Sequence, residues 1–250
     1  MLGLVYSGVS YLTFLAVFVY FALFADGVVV PKSVDSGSTA PLGLGLMLNL
    51  GLLLLWGLQH SVMARPRFKD WLTRWVPAHL ERATYVMFSN LALGVLMWQW
   101  QPLHFELWHV ESVALAAPLW TVNALGWLGV PTCSFMIDHF NLFGLKQAWS
   151  GFRRRSLAQP GFLTPLLYKY VRHPMMTSLL VALWVTPHMT AGHLMLSLGM
   201  SVYIMIGVHY EERALLRELG QAYRLYQAVT PQFLPVRGPK PGLSNTPVER

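Results

Sequence analysis

The run RHPMMTSLLVALWVTPHMTAGHLMLSLGMSVYIMIGVHYEER, Arg172 to Arg213, places a long apolar stretch between two charged ends. Crossing a hydrocarbon core of about 30 Å takes roughly 20 helical residues. Pro187 and the polar turn His188 to His193 break the run and leave a first limb of about 13 residues, which covers about 20 Å and is too short to cross alone. The stretch therefore reads as a tilted or partly inserted helical hairpin. A hairpin returns its end to its start, so Arg172-His173-Pro174 and Glu211-Glu212-Arg213 should meet at one membrane face. Ionisable side chains in such a place are costly unless they are paired or functional. The competing reading is snorkelling of ordinary helix-end charges.

Outward from this hairpin, four more apolar blocks run about Leu4 to Val30, Leu42 to Met63, Thr84 to Trp100 and Leu115 to Ile137. The expected fold is an all-α polytopic membrane protein with about five transmembrane segments, the last a hairpin, followed by a cytoplasmic C-terminal helix. Composition agrees, with 54% hydrophobic and 12% charged residues, where a soluble domain carries roughly a quarter charged. The first block holds Asp26, is followed by Pro31 and Lys32, and lacks an A-x-A-type cleavage site, so it reads as a retained anchor. The net charge of +7 comes from basic residues in loops beside apolar blocks, which argues for membrane topology and against nucleic acid.

Arg65, Arg67, Lys69, Arg74 and Arg82 crowd the second loop, whereas Gln101 to Ala114 holds Glu106 and Glu111 and no Lys or Arg. The asymmetry assigns the second loop, the segment from Lys146 to Arg172 and both termini to the cytoplasm. Trp71, Trp75, Trp98, Trp100 and Trp108 read as interfacial anchors, and the lone Cys133 as a free buried thiol. One membrane domain should cover 1–235, with 236–250 a flexible tail rich in Pro, Gly and Ser.

Other motifs stand beside the hairpin: Gln59-His60-Ser61-Val62-Met63-Ala64-Arg65, Glu81-Arg82-Ala83-Thr84-Tyr85, Trp98-Gln99-Trp100-Gln101-Pro102 and Ile137-Asp138-His139-Phe140-Asn141-Leu142-Phe143-Gly144-Leu145. The order R-H-P, E-E-R and then Gly220, Tyr223 and Tyr226 resembles the isoprenylcysteine carboxyl methyltransferase superfamily over about Tyr168 to Pro235. All the motifs together look like the bacterial methanethiol S-methyltransferases over most of Met1 to Pro235. The resemblance implies S-methylation of methanethiol to dimethyl sulfide with S-adenosylmethionine, in an intramembrane site of the bacterial inner membrane open to the cytosol. It implies cofactor contacts at Tyr168, Arg172, His173, Pro174, Glu211, Glu212, Arg213, Tyr223 and Tyr226, within a cofactor-binding part of about 139–235. The superfamily commonly continues R-H-P-x-Y-x-G, where this chain has Met175-Met176-Thr177-Ser178.

The chemistry of that cofactor agrees. Arg172 or Arg213 suits its carboxylate through a bidentate fork, and Glu211 or Glu212 suits its ammonium or ribose hydroxyls. No G-x-G-x-x-G follows a strand, so a Rossmann-type site has no support. A thiol must lose its proton to attack, which calls for a base or a positive field. His60, His139 and His173 are the candidate bases, with Asp138 beside His139 as a catalytic carboxylate, Arg65 and Arg82 for the field and Ser61, Tyr85 and Phe143 for the substrate. His60 could instead make a structural hydrogen bond, Arg65 and Arg82 could pair with Asp70 or Glu81, and Asp138-His139 could be a helix-end cap. Asp138 and His139 point about 100° apart on a helix, so direct pairing is not expected.

No metal site is expected: His104, His109 and Glu111 lack H-E-x-x-H spacing, and His188 and His193 read as a solvated turn. The implied partners are the small thiol and the lipid bilayer, with no nucleic acid and no obligate protein partner. Two rival readings remain. One is a methyltransferase for an isoprenylcysteine carboxylate or a phospholipid amine. The other is a non-catalytic haem-binding, denitrification-associated membrane protein with His60 and His209 as axial ligands.

Overall fold

The structure is a computed structural model describing residues 1–155 and 164–236. The expected tail therefore lies, from 237 onward, outside the described residues. Twelve elements follow in order: α1 (Leu2–Asp26), α2 (Leu42–Met63), α3 (Pro66–Leu72), α4 (Glu81–Gln99), β1 (Glu106–His109), α5 (Val113–Ile137), α6 (His139–Leu142), α7 (Leu145–Phe152), α8 (Pro174–Trp184), β2 (His188–Thr190), α9 (Ala191–Leu219) and α10 (Gln221–Val229). Two short 3-10 turns lie at Ala78–Leu80 and Leu166–Lys169. Helices α1, α2, α5 and α9 are long and apolar enough to cross a membrane, which makes this a multi-pass membrane protein. The leucines exposed along α2, among them Leu44, Leu48, Leu55 and Leu58, form the kind of apolar face that lipid covers.

The described residues group into two compact units. In the first, residues 1–116, 140–155 and 186–200, α4 packs against both α1 and α2. Polar groups fix that packing: Ser10 Oγ donates to the Ala83 carbonyl at 2.8 Å, and Asn90 Nδ2 to the Ser10 carbonyl at 3.2 Å. Asn49, inside α2, holds the Gln101 residue through both its N–H and its carbonyl, at 2.8 and 2.7 Å. With no water in a bilayer core, such side chains must be satisfied by protein. The expected span Thr84 to Trp100 is thus helix α4, which carries buried Thr84 and Asn90 and stands apart from the four helices long and apolar enough to cross a membrane.

The fold is helical as expected, with one addition: β1 and β2 pair as a short antiparallel ribbon that satisfies the backbone of two connections. Two expectations need correction. His193 is not a solvated turn residue but is 2% exposed; its N–H donates to Thr190 Oγ1 at 3.1 Å, which caps the start of α9. Trp100 is not an interfacial anchor. The chain turns extended there at the end of α4, and the indole is fully buried, edge-on to Phe24.

In the second unit, residues 117–139, 164–185 and 201–236, helices α5 and α8 touch closely. A Cβ on Gly126 would lie 2.6 Å from the Ala182 backbone nitrogen, and Asn123 Nδ2 donates to the Ala182 carbonyl at 2.8 Å. Gly129 likewise leaves room for the side chain of Ser178, the position where the superfamily carries glycine. Small residues facing each other are how membrane helices approach without a hydrophobic drive. Helix α8 has 11 residues, as the short first limb requires, and Trp184 Nε1 donates to Ser201 Oγ at 2.8 Å to tie it to α9.

Candidate functional site

Arg172 and His173 stand just before α8, which Pro174 starts at a position where its missing N–H costs nothing. Their backbone N–H groups donate to the carbonyls of Pro231 and Gln232 at 2.9 and 3.1 Å, so the segment after α10 lies along them. Thr177 Oγ1 adds a bond to the Phe233 carbonyl at 2.9 Å. Both halves of the expected constellation therefore meet, and they meet on Glu212. Its Oε1 accepts from Arg172 Nε at 2.7 Å and from His173 Nε2 at 3.0 Å. Its Oε2 accepts from Gln227 Nε2 at 2.9 Å and from Arg172 Nη2 at 3.4 Å.

Arg172 has a further task. Its Nη1 donates to the Thr230 carbonyl at 2.5 Å and to the Gln227 carbonyl at 3.2 Å, closing the C-terminal turn of α10, where a cation is favoured. The guanidinium that looked suited to a ligand carboxylate is thus largely engaged within the chain. Glu211 differs from its neighbour: its side chain is 53% exposed against 13% for Glu212, and its Oε2 lies 3.7 Å from His173 Nδ1. Arg213 is exposed and makes no ion pair with any described residue. It sits about 200° around the helix axis from Glu211, so the two do not face one ligand from the same side of α9.

Tyr223 and Tyr226 are buried with ring centroids 5.8 Å apart, and Tyr226 donates its hydroxyl to the Tyr168 carbonyl at 2.6 Å. Burial raises all three phenols above their ordinary range, with nearby carboxylates adding to it, so they are neutral donors at any physiological pH. Gln227 and the carbonyl of Thr230 carry no sequence signal, because their part in the site depends on how α10 returns.

His139 follows the end of α5. It is 3% exposed, stacked at 3.9 Å on Phe135, and its Nδ1 lies 2.6 Å from Ser134 Oγ. Ser134 donates its own proton to the Pro131 carbonyl at 2.7 Å, so the network assigns the imidazole proton to Nδ1 and the lone pair to Nε2. Burial lowers the His139 pKa and keeps the ring neutral near pH 7. Asp138 contributes its backbone N–H to the Ser134 carbonyl at 3.2 Å.

In the first unit, the His60 ring lies between Trp56 and Tyr85, at 5.1 and 5.0 Å between centroids. The hydroxyl that reaches its Nδ1, at 3.1 Å, belongs to Ser89 rather than to the adjacent Ser61, which is half-buried. Ser89 donates to the Tyr85 carbonyl at 2.9 Å, so His60 carries its proton on Nδ1 and its lone pair on Nε2. Arg82 lies 5.9 Å from the Tyr85 ring centroid. Glu81 pairs with Lys69 at 3.8 Å. Arg65 opens α3. Phe143 belongs to an aromatic stack, 4.0 Å from Phe14 and 5.9 Å from Tyr11. His209 is exposed and edge-on to Tyr210.

Compared with known proteins, the chain is 45% identical over 234 residues to a methanethiol S-methyltransferase of Mycobacterium tuberculosis, covering 94% of this chain and 96% of that protein. A methanethiol S-methyltransferase of Pseudomonas deceptionensis is 45% identical over 240 residues, 96% and 92% of the two chains. Nurim of Bos taurus is 33% identical over 169 residues, 64% and 63% of the two chains. No protein-family model and no solved structure matches.

Proposed function

The chain belongs to the methanethiol S-methyltransferase family, and we infer from that membership that it is an enzyme methylating methanethiol, with dimethyl sulfide as the product. We propose S-adenosylmethionine as the methyl donor, held by the residues around Glu212. The observation that carries this is the convergence of Arg172, His173 and Glu212, flanked by the accessible carboxylate of Glu211. The fit is specific in its roles. Glu211 offers an acceptor to the donor's ammonium or ribose hydroxyls, and His173 steadies it. Arg172 and Glu212 build the wall, Tyr168, Tyr223 and Tyr226 fill behind it as neutral groups, and Arg213, turned away from Glu211 on α9, adds positive charge near the site without touching the ligand that Glu211 holds.

S-Adenosylmethionine, which Glu211 and His173 would hold, would supply an electrophilic methyl group for a thiolate to accept, its sulfonium leaving as a neutral thioether. The chain's own task is to ready the thiol. An alkyl thiol is mostly protonated at neutral pH. His60, with its proton held on Nδ1 by Ser89, has Nε2 as the basic nitrogen to take the thiol proton. Arg82 and Arg65 favour the anion that results, and Ser61, Tyr85 and Phe143 shape the substrate's surroundings. His139, locked in the same tautomer by Ser134, is the next candidate base, with Asp138 beside it.

The proposed topology has five transmembrane segments counting α4, the last of them the hairpin of α8 and α9, with α10 and both termini in the cytoplasm and a site within the bacterial inner membrane open to the cytosol. Residues 1–235 act as one catalytic domain. The direct test supplies membranes containing the chain with methanethiol and methyl-labelled S-adenosylmethionine and follows the headspace. Labelled dimethyl sulfide is expected. Its absence, or label appearing only in lipid or protein carboxyl groups, would overturn the assignment.

A further inference from the structure

The β1–β2 ribbon brings together three metal-ligating side chains that are far apart in sequence: Glu106, His109 and His188. His109 and His188 are direct cross-strand partners, with ring centroids 4.9 Å apart. Glu106 precedes His109 by three residues, which on a regular strand would turn it to the opposite face. The register slips between Glu106 and Trp108, and such a bulge re-aims the next side chain, bringing Glu106 back to the histidine face. Trp108 takes the other face, its Nε1 donating to the Thr186 carbonyl at 3.1 Å.

The donor atoms are spaced as a metal requires. Glu106 Oε2 lies 3.1 Å from His188 Nε2 and 3.6 Å from His109 Nδ1, and all three atoms fall within 4.8 Å of one another. Two ligands on a tetrahedral Zn(II) at about 2.0–2.1 Å stand about 3.3 Å apart. The two contacts to Glu106 straddle that value, and a small rotation of partly exposed rings closes the third. Two imidazoles and one carboxylate form a set for a borderline divalent cation, and solvent supplies the fourth position.

We propose that Glu106, His109 and His188 form a Zn(II) site that staples the α4–α5 connection to the α8–α9 turn. The chain order conceals it, because the histidine set suggested by sequence joins His109 to His104 and Glu111 and leaves His188 in a solvated turn. None of the three ligands belongs to the set assigned to methyl transfer, and the function of the site is to rigidify this ribbon.

The test uses the purified full chain without a histidine tag, stripped with a chelator and titrated with ZnCl2. One equivalent should bind and raise the melting temperature. Affinity should fall at least about tenfold in His109→Ala and His188→Ala, and stay unchanged in His104→Ala. Should either variant fail to fold, Cu(II) added to the wild-type chain should show two nitrogen ligands by electron paramagnetic resonance, and Glu106→Gln should weaken Zn(II) binding. No binding at about 100 µM ZnCl2, equal binding in all variants, or a copper spectrum with one nitrogen or none would each overturn the proposal.

Discussion

At Glu212 a guanidinium, an imidazole and an amide converge on one carboxylate, whereas at His60 an imidazole is held by a hydroxyl and two aromatic rings. The two arrangements fix their central residue differently. A carboxylate that accepts from four donors and shares its arginine with the end of α10 is tied into the architecture. An imidazole oriented through one nitrogen keeps its lone pair on the other. The contrast separates holding from reacting: in their proposed roles, Glu212 organises a binding wall and His60 moves a proton.

The largest expected effect tests the reacting half. His60→Ala should lower dimethyl sulfide production by about 10²–10⁴-fold, and a thiol that arrives already ionised at higher pH should recover part of that loss. Near-wild-type turnover at pH 7 would transfer the proposed role to His139. The holding half should respond in stability. Glu212→Ala leaves Arg172 buried without its counter-ion and should cost about 3–5 kcal/mol, seen as a lower melting temperature in detergent. An unchanged melting temperature would show that the network carries no structural weight.

The smallest effect concerns pH. Burial holds the His139 pKa below 6.5, so below that value the unfolded chain binds a proton there that the folded chain does not. Stability should therefore fall with falling pH from 6.5 down to the folded pKa, and be level with respect to this group above 6.5. His139→Gln should flatten that acid slope in chemical unfolding between about pH 5 and 7. An identical slope in both proteins would contradict a buried neutral His139.

Much of this arrangement is legible in the order of residues alone. The apolar block Leu42 to Met63 coincides with α2, and the break at Pro187 correctly separates a short limb from a long one. The meeting of R-H-P with E-E-R follows from the hairpin. What the chain order conceals depends on register and return. Ser89, the partner of His60, comes from the facing helix α4, and nothing in the order of residues singles it out among the residues of that helix. Asn49, Asn90 and Asn123 look like interruptions of apolar runs, yet each satisfies a backbone group of another segment. Arg172 reads as a ligand fork until the end of α10 arrives to occupy it. The ribbon is hidden because β1 is four residues long and its bulge defeats a period of two.

The division between holding and reacting is tested most directly by calorimetric titration of S-adenosylmethionine into the wild-type chain, Glu211→Gln and His60→Ala. The account predicts affinity weakened about tenfold or more in Glu211→Gln, the cost of losing one charge-assisted contact, and wild-type affinity in His60→Ala. Wild-type affinity in Glu211→Gln together with lost affinity in His60→Ala would contradict it.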